Sequence, residues 1–320
     1  MKSLAALVLV FAAIGAVPFV VGSDVWLNSL IMVLYAALLG QAWNILGGYG
    51  GQFSFGHAAF FGTGAYTVAV LQVQLGVNPW IGLVAGAAMS GMVAAFVGAV
   101  SFRYGLRGSY FALVTLAFAE VLRILSNTVP FTGAGVGILI PLEPGVANLQ
   151  FAEKSGYVWL IWAMTFAAFL ATWWLGNSRF GARLMAVRDN EDAARALGVP
   201  ALRIKFGGIV LSGTISGLAG VFYAQYYLYL DPGIAYGPAV SIESLLVPIV
   251  GGMGTLFGPL LGAIVLHALS EFTRDIFGDA PGISLAIYGV VLIFIVMFLP
   301  RGLAGLGRIS ARRLLRARPA

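Results

Sequence analysis

Two charged residues interrupt an apolar stretch and are the first candidates for chemistry. Glu120 and Arg123 are three residues apart within 109–125, a segment that is otherwise apolar or uncharged. At helical spacing the two side chains share one face and can pair. Inside a membrane such a pair either neutralises itself and fixes helix packing, or offers a polar element to a zwitterionic solute. The sequence leaves both interpretations open, and Glu120 is a candidate pathway residue.

A second polar group follows a run of glycines. Gly51, Gln52, Ser54 and His57 lie in the glycine-rich stretch 47–57, where a regular helix is disfavoured. We predict a break between two apolar segments. Its side chains either line a path or gate, or simply meet water and helix ends at a turn. Irregular backbone at membrane depth has to be covered by protein or water, so all four are candidate pathway residues.

The sequence predicts no catalytic residue, cofactor or metal ion. The two histidines, His57 and His267, are far apart, and no cluster of carboxylates accompanies either, so His57 is interpreted as a packing residue. The absence of cysteine excludes disulfides and thiolate metal sites. No GxxxxGK[ST] phosphate loop occurs, so we do not expect this chain to hydrolyse ATP by that route.

The composition determines which elements can position these residues. Of the 320 residues, 60% are hydrophobic and 9% are charged, against about a quarter charged in a soluble protein. Mean hydropathy is +0.94. The stretch 25–102 contains no Asp, Glu, Lys or Arg, and at about 20 residues per span it holds about three membrane helices. Soluble enzymes, disordered proteins and fibres are excluded, and we predict an all-α polytopic membrane protein with 8–10 transmembrane helices.

The apolar segments give a span map. Eight segments have the length of a membrane helix: 3–22, 25–46, 58–75, 80–102, 109–125, 157–176, 206–230 and 283–299. The first resembles a signal peptide, but its apolar run is longer than a typical signal core, so we predict that it is retained. A ninth stretch, 245–269, is interrupted by prolines and by Gly251 and Gly252. We predict a re-entrant or broken pair of half-helices that turns at these two glycines and borders the pathway.

The distribution of Lys and Arg predicts the orientation. The connection 177–205 carries six basic residues, whereas 126–156 carries only Lys154, so the first is predicted cytoplasmic and the second external. Six arginines after Pro300 place the tail in the cytoplasm, which requires 245–269 to return to the side from which it enters. The net charge of +6 is therefore interpreted as a positive-inside bias, not as a nucleic-acid surface. The domain prediction is one transmembrane unit over 1–308, containing the loop 177–205, and a basic cytoplasmic tail over 309–320, with both termini inside.

The connection 177–205 is predicted to contain a short amphipathic helix that ends at Gly198 and Pro200. Its apolar side is Leu184, Val187, Ala194 and Leu197, and its polar side is Arg183, Arg188, Glu191, Asp192 and Arg195. One interpretation is a helix that lies in the lipid interface.

The other interpretation comes from a resemblance. Asp192, Ala193, Ala194, Arg195 and Gly198 lie in a stretch that resembles the EAA motif of ATP-binding cassette importer permeases, in which an acidic residue, two alanines, three variable residues and a glycine follow one another. Asp stands where Glu is usual, and the proline of the downstream Ile-x-Leu-Pro is missing at Ser212. The resemblance implies a coupling helix that docks in a groove of a cytoplasmic ATPase subunit.

Further segments sharpen this resemblance. The stretches 48–62, 106–118 and 251–259 and the closing 300–303 are similar, in order and spacing, to branched-chain amino acid permeases of the LivM type. The similarity runs from about residue 24 to residue 306. It implies a permease subunit of a bacterial inner-membrane importer, which pairs with a second permease subunit of the LivH type or with itself, two ABC ATPases and an external amino-acid-binding protein. Permeases for urea and short amides look similar, so they remain an alternative.

An autonomous secondary transporter is the competing class. Such a protein normally uses buried carboxylates to couple transport to protons or sodium. Only Glu120 qualifies, and Arg123 stands beside it.

Overall fold

The helices account for nearly all of the chain that can be described. The structure is a computed structural model, and it describes residues 2–277, 286, 289–290, 293, 297 and 302–305. Its α-helices are α1 (Lys2–Val20), α2 (Asp24–Trp43), α3 (His57–Leu75), α4 (Pro79–Arg103), α5 (Gly108–Thr128), α6 (Lys154–Asn177), α7 (Arg179–Asp189), α8 (Glu191–Ala196), α9 (Ala201–Tyr227), α10 (Pro232–Ala235), α11 (Pro238–Gly251) and α12 (Gly258–Phe277). A π-helical turn, Asn44–Tyr49, continues α2. Two short strands, β1 (Ile138–Leu139) and β2 (Tyr229–Leu230), pair antiparallel.

The prediction of an all-α polytopic membrane protein is confirmed. Eight helical stretches within the described residues are long and apolar enough to cross a membrane: Ser3–Val20, Asp24–Tyr49, His57–Leu75, Pro79–Arg103, Gly108–Thr128, Lys154–Asn177, Ala201–Tyr227 and Pro232–Gly251. The first seven predicted segments each correspond to one of them. The eighth prediction, 283–299, lies outside the described residues apart from a few isolated positions.

The helix connections gather at two ends of the bundle, which we call the loop end and the coupling end. The loop end contains the long connection 129–153, which pairs with the chain after α9 through β1 and β2. There the Asn78 amide donates to the Ala147 carbonyl (3.1 Å) and Lys154 Nζ to the Asp24 carbonyl (3.3 Å). The coupling end contains the connections 44–56, 103–107 and 178–200. Successive connections therefore alternate between the ends, as the span map requires.

Small residues bring the central helices together. α9 packs against both α3 and α4, and a methyl group at Gly64 would overlap the backbone of Gly217. The Ser90 hydroxyl donates to the Phe60 carbonyl (2.8 Å), which ties α4 to α3. In a lipid solvent, close backbone approach and such hydrogen bonds hold helices together.

The predicted break near Gly251 and Gly252 is present, but the helices on either side are longer than the interval 245–269. α11 begins at Pro238, and α12 continues to Phe277, so its 20 residues span about 30 Å. A methyl group at Gly251 would overlap Gly258, so the two helices pack closely at the turn. The chain therefore turns through 252–257 at the coupling end, which is deeper than a shallow re-entrant loop.

The same end receives the chain again before its tail. Gly302 has a left-handed φ of +63° and lies against Gly252 and the Ile249 carbonyl. Leu303 packs against the apolar cluster that includes Val247 and Val250. α11 leads to the coupling end, α12 leads away from it, and residues 302–305 lie there again. This path supplies the return that the six arginines of the tail require.

Candidate functional site

A polar contact joins the two breaks predicted from glycine. Asn44, at the start of the π-helical turn, accepts from the backbone N–H of Gly254 (2.8 Å) and donates to the Thr255 carbonyl (3.0 Å). The Asn44 side chain thus bonds to a backbone N–H and a backbone carbonyl of the turn 252–257, and it holds this turn against the break 47–56. The candidates Gly51 and Gln52 on one break and Gly251 and Gly252 on the other are thereby brought to the same end of the bundle.

The connection 177–205, called the coupling loop below, contacts this junction directly. Arg188 Nη1, on α7, donates to the Gly48 carbonyl (3.0 Å). Gly51 has φ +65°, and a methyl group on it would overlap the Arg188 side chain. Glycine is needed there twice, because the backbone is left-handed and because α7 approaches so closely. A displacement of α7 would therefore act on the break without an intermediary.

Along the break, buried and exposed side chains alternate, and the buried ones are polar while the exposed ones are aromatic. Gln52 and Ser54 are buried, whereas Phe53 and Phe55 are 42% and 39% exposed. The Ser54 hydroxyl accepts from the Gly56 N–H (3.2 Å), and the backbone carbonyl of Ser54 accepts from Trp43 Nε1 (2.8 Å). Gln52 and Ser54 are shielded from water and bond to the backbone at helix ends, Gln52 to the Gly50 carbonyl and Ser54 to the Gly56 N–H. The phenylalanines face outward, and sequence reasoning missed them because it sought polar residues.

His57 is a buried packing residue with a definite tautomer. The Ser212 hydroxyl donates to the Ala42 carbonyl (2.6 Å), so it accepts at its other contact, from His57 Nε2 (2.9 Å). The proton therefore sits on Nε2. Nδ1 has no hydrogen-bond partner among the described residues. The contact joins α3 to α9 and, through Ala42, to α2, which supports the predicted packing role.

Glu120 and Arg123 form the expected ion pair, and this pair lies away from the junction of the two breaks. Arg123 Nε and Nη2 donate to the two carboxylate oxygens of Glu120 (2.8 and 2.6 Å). The Glu120 side chain is 48% exposed and that of Arg123 is 35% exposed. Both lie on the outward stripe of α5, which also includes Leu113 and Ile124. The pair therefore does not fix packing within the described part of this chain.

The coupling loop forms two helices where one was predicted. α7 ends at Asp189, and the Asn190 side chain accepts from the Ala193 N–H (3.0 Å), which caps α8. Leu184, Val187 and Ala194 are buried, as expected. Leu197 was placed on that apolar side, but it is 85% exposed, because α8 ends at Ala196 and the chain then turns outward. Gly198 has φ +81°, the left-handed conformation expected after a helix.

An ion-pair cluster holds α8 in place. The Glu191 carboxylate contacts Arg107 Nε (3.2 Å), Arg195 Nη2 (2.6 Å) and Lys205 Nζ (3.1 Å). Asp192 contacts Arg107 Nη2 (3.2 Å). The hydrogen bond from Arg107 lowers the pKa of Asp192 below its usual value, and the same bond raises the pKa of Arg107. These five residues are called the ion-pair cluster below.

The cluster changes how the motif is understood. Asp192 and Arg195, two residues of the motif, both form ion pairs within their own chain. Glu191 and Arg107 were not candidates. An acidic residue directly before the motif, and an arginine just before an apolar helix, were the available signals, but pairing across 84 positions is invisible without the fold.

The membrane-spanning helices and the structured connection between α6 and α9 define a multi-pass helical membrane protein. Residues 25–296 match the profile of the family described as branched-chain amino acid transport system, permease component. The chain belongs to this family.

Several curated relatives place the chain within the family. It is 27% identical to the high-affinity branched-chain amino acid permease protein LivM of Escherichia coli over 315 residues, covering 91% of this chain and 72% of that protein. It is 26% identical to BraD of Pseudomonas aeruginosa, a permease protein of the same transport class, with 87% and 94% covered. It is also 26% identical to the L-arabinose permease protein AraH of E. coli, with 78% and 74% covered. No solved structure matches the chain.

Proposed function

We propose that the chain is the permease subunit of an ATP-driven importer for branched-chain or similar apolar amino acids. It works with two cytoplasmic ABC ATPases, a second permease subunit of the LivH type or a second copy of itself, and an external binding protein. The observation that carries the proposal is the capped helix α8, which presents the motif from Asp192 to Gly198 at the coupling end. The exposed Leu197 supplies an apolar contact for the ATPase groove.

The substrate class rests on the relatives. The LivM and BraD alignments cover more of this chain than the AraH alignment, at nearly equal identity. This difference supports an amino acid over a sugar. Urea and short amides remain the alternative substrates.

The translocation pathway is proposed to run along the outward face of α5. Glu120 lies twelve residues after Gly108 and eight before Thr128, which is about 18 Å and 12 Å from the helix ends. A charged pair facing lipid at that depth is costly, so protein or water covers this face. Phe55 lies beside it, since its N–H donates to the Thr115 hydroxyl (3.2 Å). A zwitterionic substrate would find a carboxylate and a guanidinium there, with aromatic rings nearer the coupling end.

The orientation follows from the charges of the two ends. The coupling end and the first turns of α9 carry eight basic residues: Arg103, Arg107, Arg179, Arg183, Arg188, Arg195, Arg203 and Lys205. Among the described residues at the loop end, the basic ones are Lys154 and Arg274, beside the acidic residues Asp24, Glu143, Glu153, Asp231, Glu271 and Asp275. We place the coupling end in the cytoplasm of a bacterial cell, by the positive-inside bias.

Reconstitution tests the proposal. The chain alone in liposomes is expected to take up no leucine, and uptake is expected to require ATP, the ATPases and the binding protein together. Competition with leucine, acetamide, urea and arabinose then identifies the substrate class. Leucine uptake by the chain alone would favour a secondary transporter, and competition by acetamide or urea but not leucine would favour the amide alternative.

A further inference from the structure

Arg107 connects two elements that are far apart in sequence. It is the residue directly before α5. Its guanidinium reaches Glu191 Oε2 (3.2 Å) and Asp192 Oδ1 (3.2 Å), the first two residues of α8. The planar fork of donors suits such bridging of two carboxylates, and a lysine ammonium lacks this fixed geometry. The start of α5 is therefore held to the start of α8.

The other side of Glu191 is anchored in the bundle. Lys205, in the first turns of α9, contacts Glu191 with its side chain only 2% exposed. Its ammonium lies 4.8 Å from the centre of the Phe102 ring, near the end of α4. Breaking a buried ion pair leaves an uncompensated charge, so this contact is a firm one. Arg107 and Asp192, with side chains 45% and 76% exposed, form the solvent-facing side of the ion-pair cluster.

The backbone around Arg107 permits α5 to move. Gly105 and Gly108 have φ values of +70° and +55°, and a side chain on either would meet open space. These two glycines flank Arg107 as conformationally permissive joints. α5 itself is a continuous helix of 21 residues without an internal proline. A displacement at its first residue is thus passed along its length, past Thr115 and Phe55 to Glu120.

We infer that Arg107 is a positioning residue of the transport cycle, which transmits the displacement of α8 to α5. The inference rests on the proposed function, because an ATPase has to move α8. Arg107 contacts no part of the proposed pathway. It acts through α5, on the break at Phe55 and on the pair Glu120–Arg123.

The first test separates coupling from assembly. In the complete reconstituted complex, R107A is expected to keep the wild-type ratio of ATPase to permease on co-purification. Transport per ATP hydrolysed falls about five-fold or more. In R107K the transport per ATP hydrolysed falls less, because the ammonium keeps the positive charge but lacks the planar fork of donors. The matched control is R103A, since Arg103 is an exposed arginine of the same end that makes no ion pair with the described residues.

The outcomes are separable. A wild-type transport-to-ATP ratio in R107A overturns the inference, as does loss of the ATPase from R107A, because Arg107 would then serve docking or folding. Failure of the ATPases to co-purify with the wild-type chain would instead contradict the proposed function.

A distance measurement keeps the inference testable without disturbing the cluster. The chain has no cysteine, so spin labels can be placed with A196C on α8 and Y110C on α5 in a complex otherwise free of cysteine. If the two helices move together, their separation is the same in the nucleotide-free and ATP-trapped complexes. Adding R107A is then expected to make the separation differ between the two states. A separation that already changes in the chain with Arg107 overturns the linkage.

Discussion

Glu120 and Arg123 are charged side chains at a depth where lipid would not tolerate them, on a face that the described helices leave open. In the part of the chain that the structure describes, the two side chains pair with each other and with no other charged group. If the pair serves only to neutralise two charges, exchanging the positions of the carboxylate and the guanidinium has no effect. If the pair binds a zwitterion, the carboxylate has to lie at position 120 and the guanidinium at position 123.

A charge swap distinguishes these two roles. E120Q and R123Q are each expected to lower transport about ten-fold, the effect of losing a charge-assisted hydrogen bond to the solute, while assembly persists. The double variant E120R/R123E keeps an ion pair but reverses it, and is expected to remain as defective as the single variants. Uptake of labelled leucine by the reconstituted complex measures this, with co-purified ATPase as the control. Recovery of transport in the swap would show that the pair is only a neutral packing unit.

Gly51 combines backbone strain with close packing, and Gly76 separates the two effects. Both have left-handed φ values, +65° and +62°, but a methyl group at Gly76 meets open space whereas one at Gly51 meets Arg188. G76A should cost about 1 kcal/mol from strain alone. G51A should cost clearly more and displace α7. Tryptophan fluorescence during thermal unfolding in detergent compares them, and equal losses would show that α7 does not press on the break.

The sequence predicted residue types in the site better than their directions. His57 as a packing residue and Gly198 as a left-handed turn were deducible, because burial and φ follow from local chemistry. The outward direction of Phe53 and Phe55 was not, since an extended stretch reveals its inner face only when its neighbours are known. The contacts of Arg107 and Asn44 reach across 85 and 211 positions, respectively, and depend on the whole packing.

At the scale of elements, α8 is a helix of six residues that cannot be stable by itself. The Asn190 cap, the ion pairs of Glu191 and the burial of Ala194 hold it, and Gly198 directs the chain away from it. These contacts fix the position and conformation of the outward face of α8. A helix that only lies in the lipid interface would not require such contacts.

Substitution of Gly198 tests whether that surface docks an ATPase. G198V places a β-branched residue at φ +81°, and the resulting strain is expected to misdirect α8. Membrane insertion should survive, because no spanning helix contains the change, while transport and ATPase association fail together. The matched control is G76V, which imposes the same kind of strain at the loop end. If G198V preserved both activities, the loop would be an interfacial helix.

The location and length of the helices could be predicted where the sequence is uniformly apolar, and less well where apolar and polar residues are mixed. Seven spans were located by apolar length alone, since a membrane helix needs little else. The pair α11 and α12 was recognised by its central glycines, but its length was underestimated. Glu271, Arg274 and Asp275 near the end of α12 made that region look like a loop, and the proline-rich approach to α11 concealed a helix start.

At the scale of the molecule, charge and topology agree within the residues that the structure describes. The connections there alternate between the two ends, and most of the basic residues lie at the coupling end. The turn between α11 and α12 and the chain at Gly302 meet at this end too, in contact with each other. An odd number of crossings between Gly252 and Gly302 would have separated them. The bundle thus returns the chain to the side of the coupling loop before the arginine-rich tail begins.

This return predicts that the tail from Arg301 is cytoplasmic, although residues 306–320 lie outside the described residues. Gly302 contacts Gly252, and the turn 252–257 that follows is bonded to Asn44 beside the Arg188 contact of α7. If α7 and α8 face the ATPases, residues that follow Gly302 emerge on the same side.

In intact cells, S310C is expected to resist a membrane-impermeant thiol reagent and to react after permeabilisation. A152C, in the exposed connection of the loop end, is expected to react in both conditions. The chain has no native cysteine to confuse the assay. Labelling of S310C in intact cells would contradict the topology, and protection of both positions would show only that the reagent reached neither, so permeabilised samples are run in parallel.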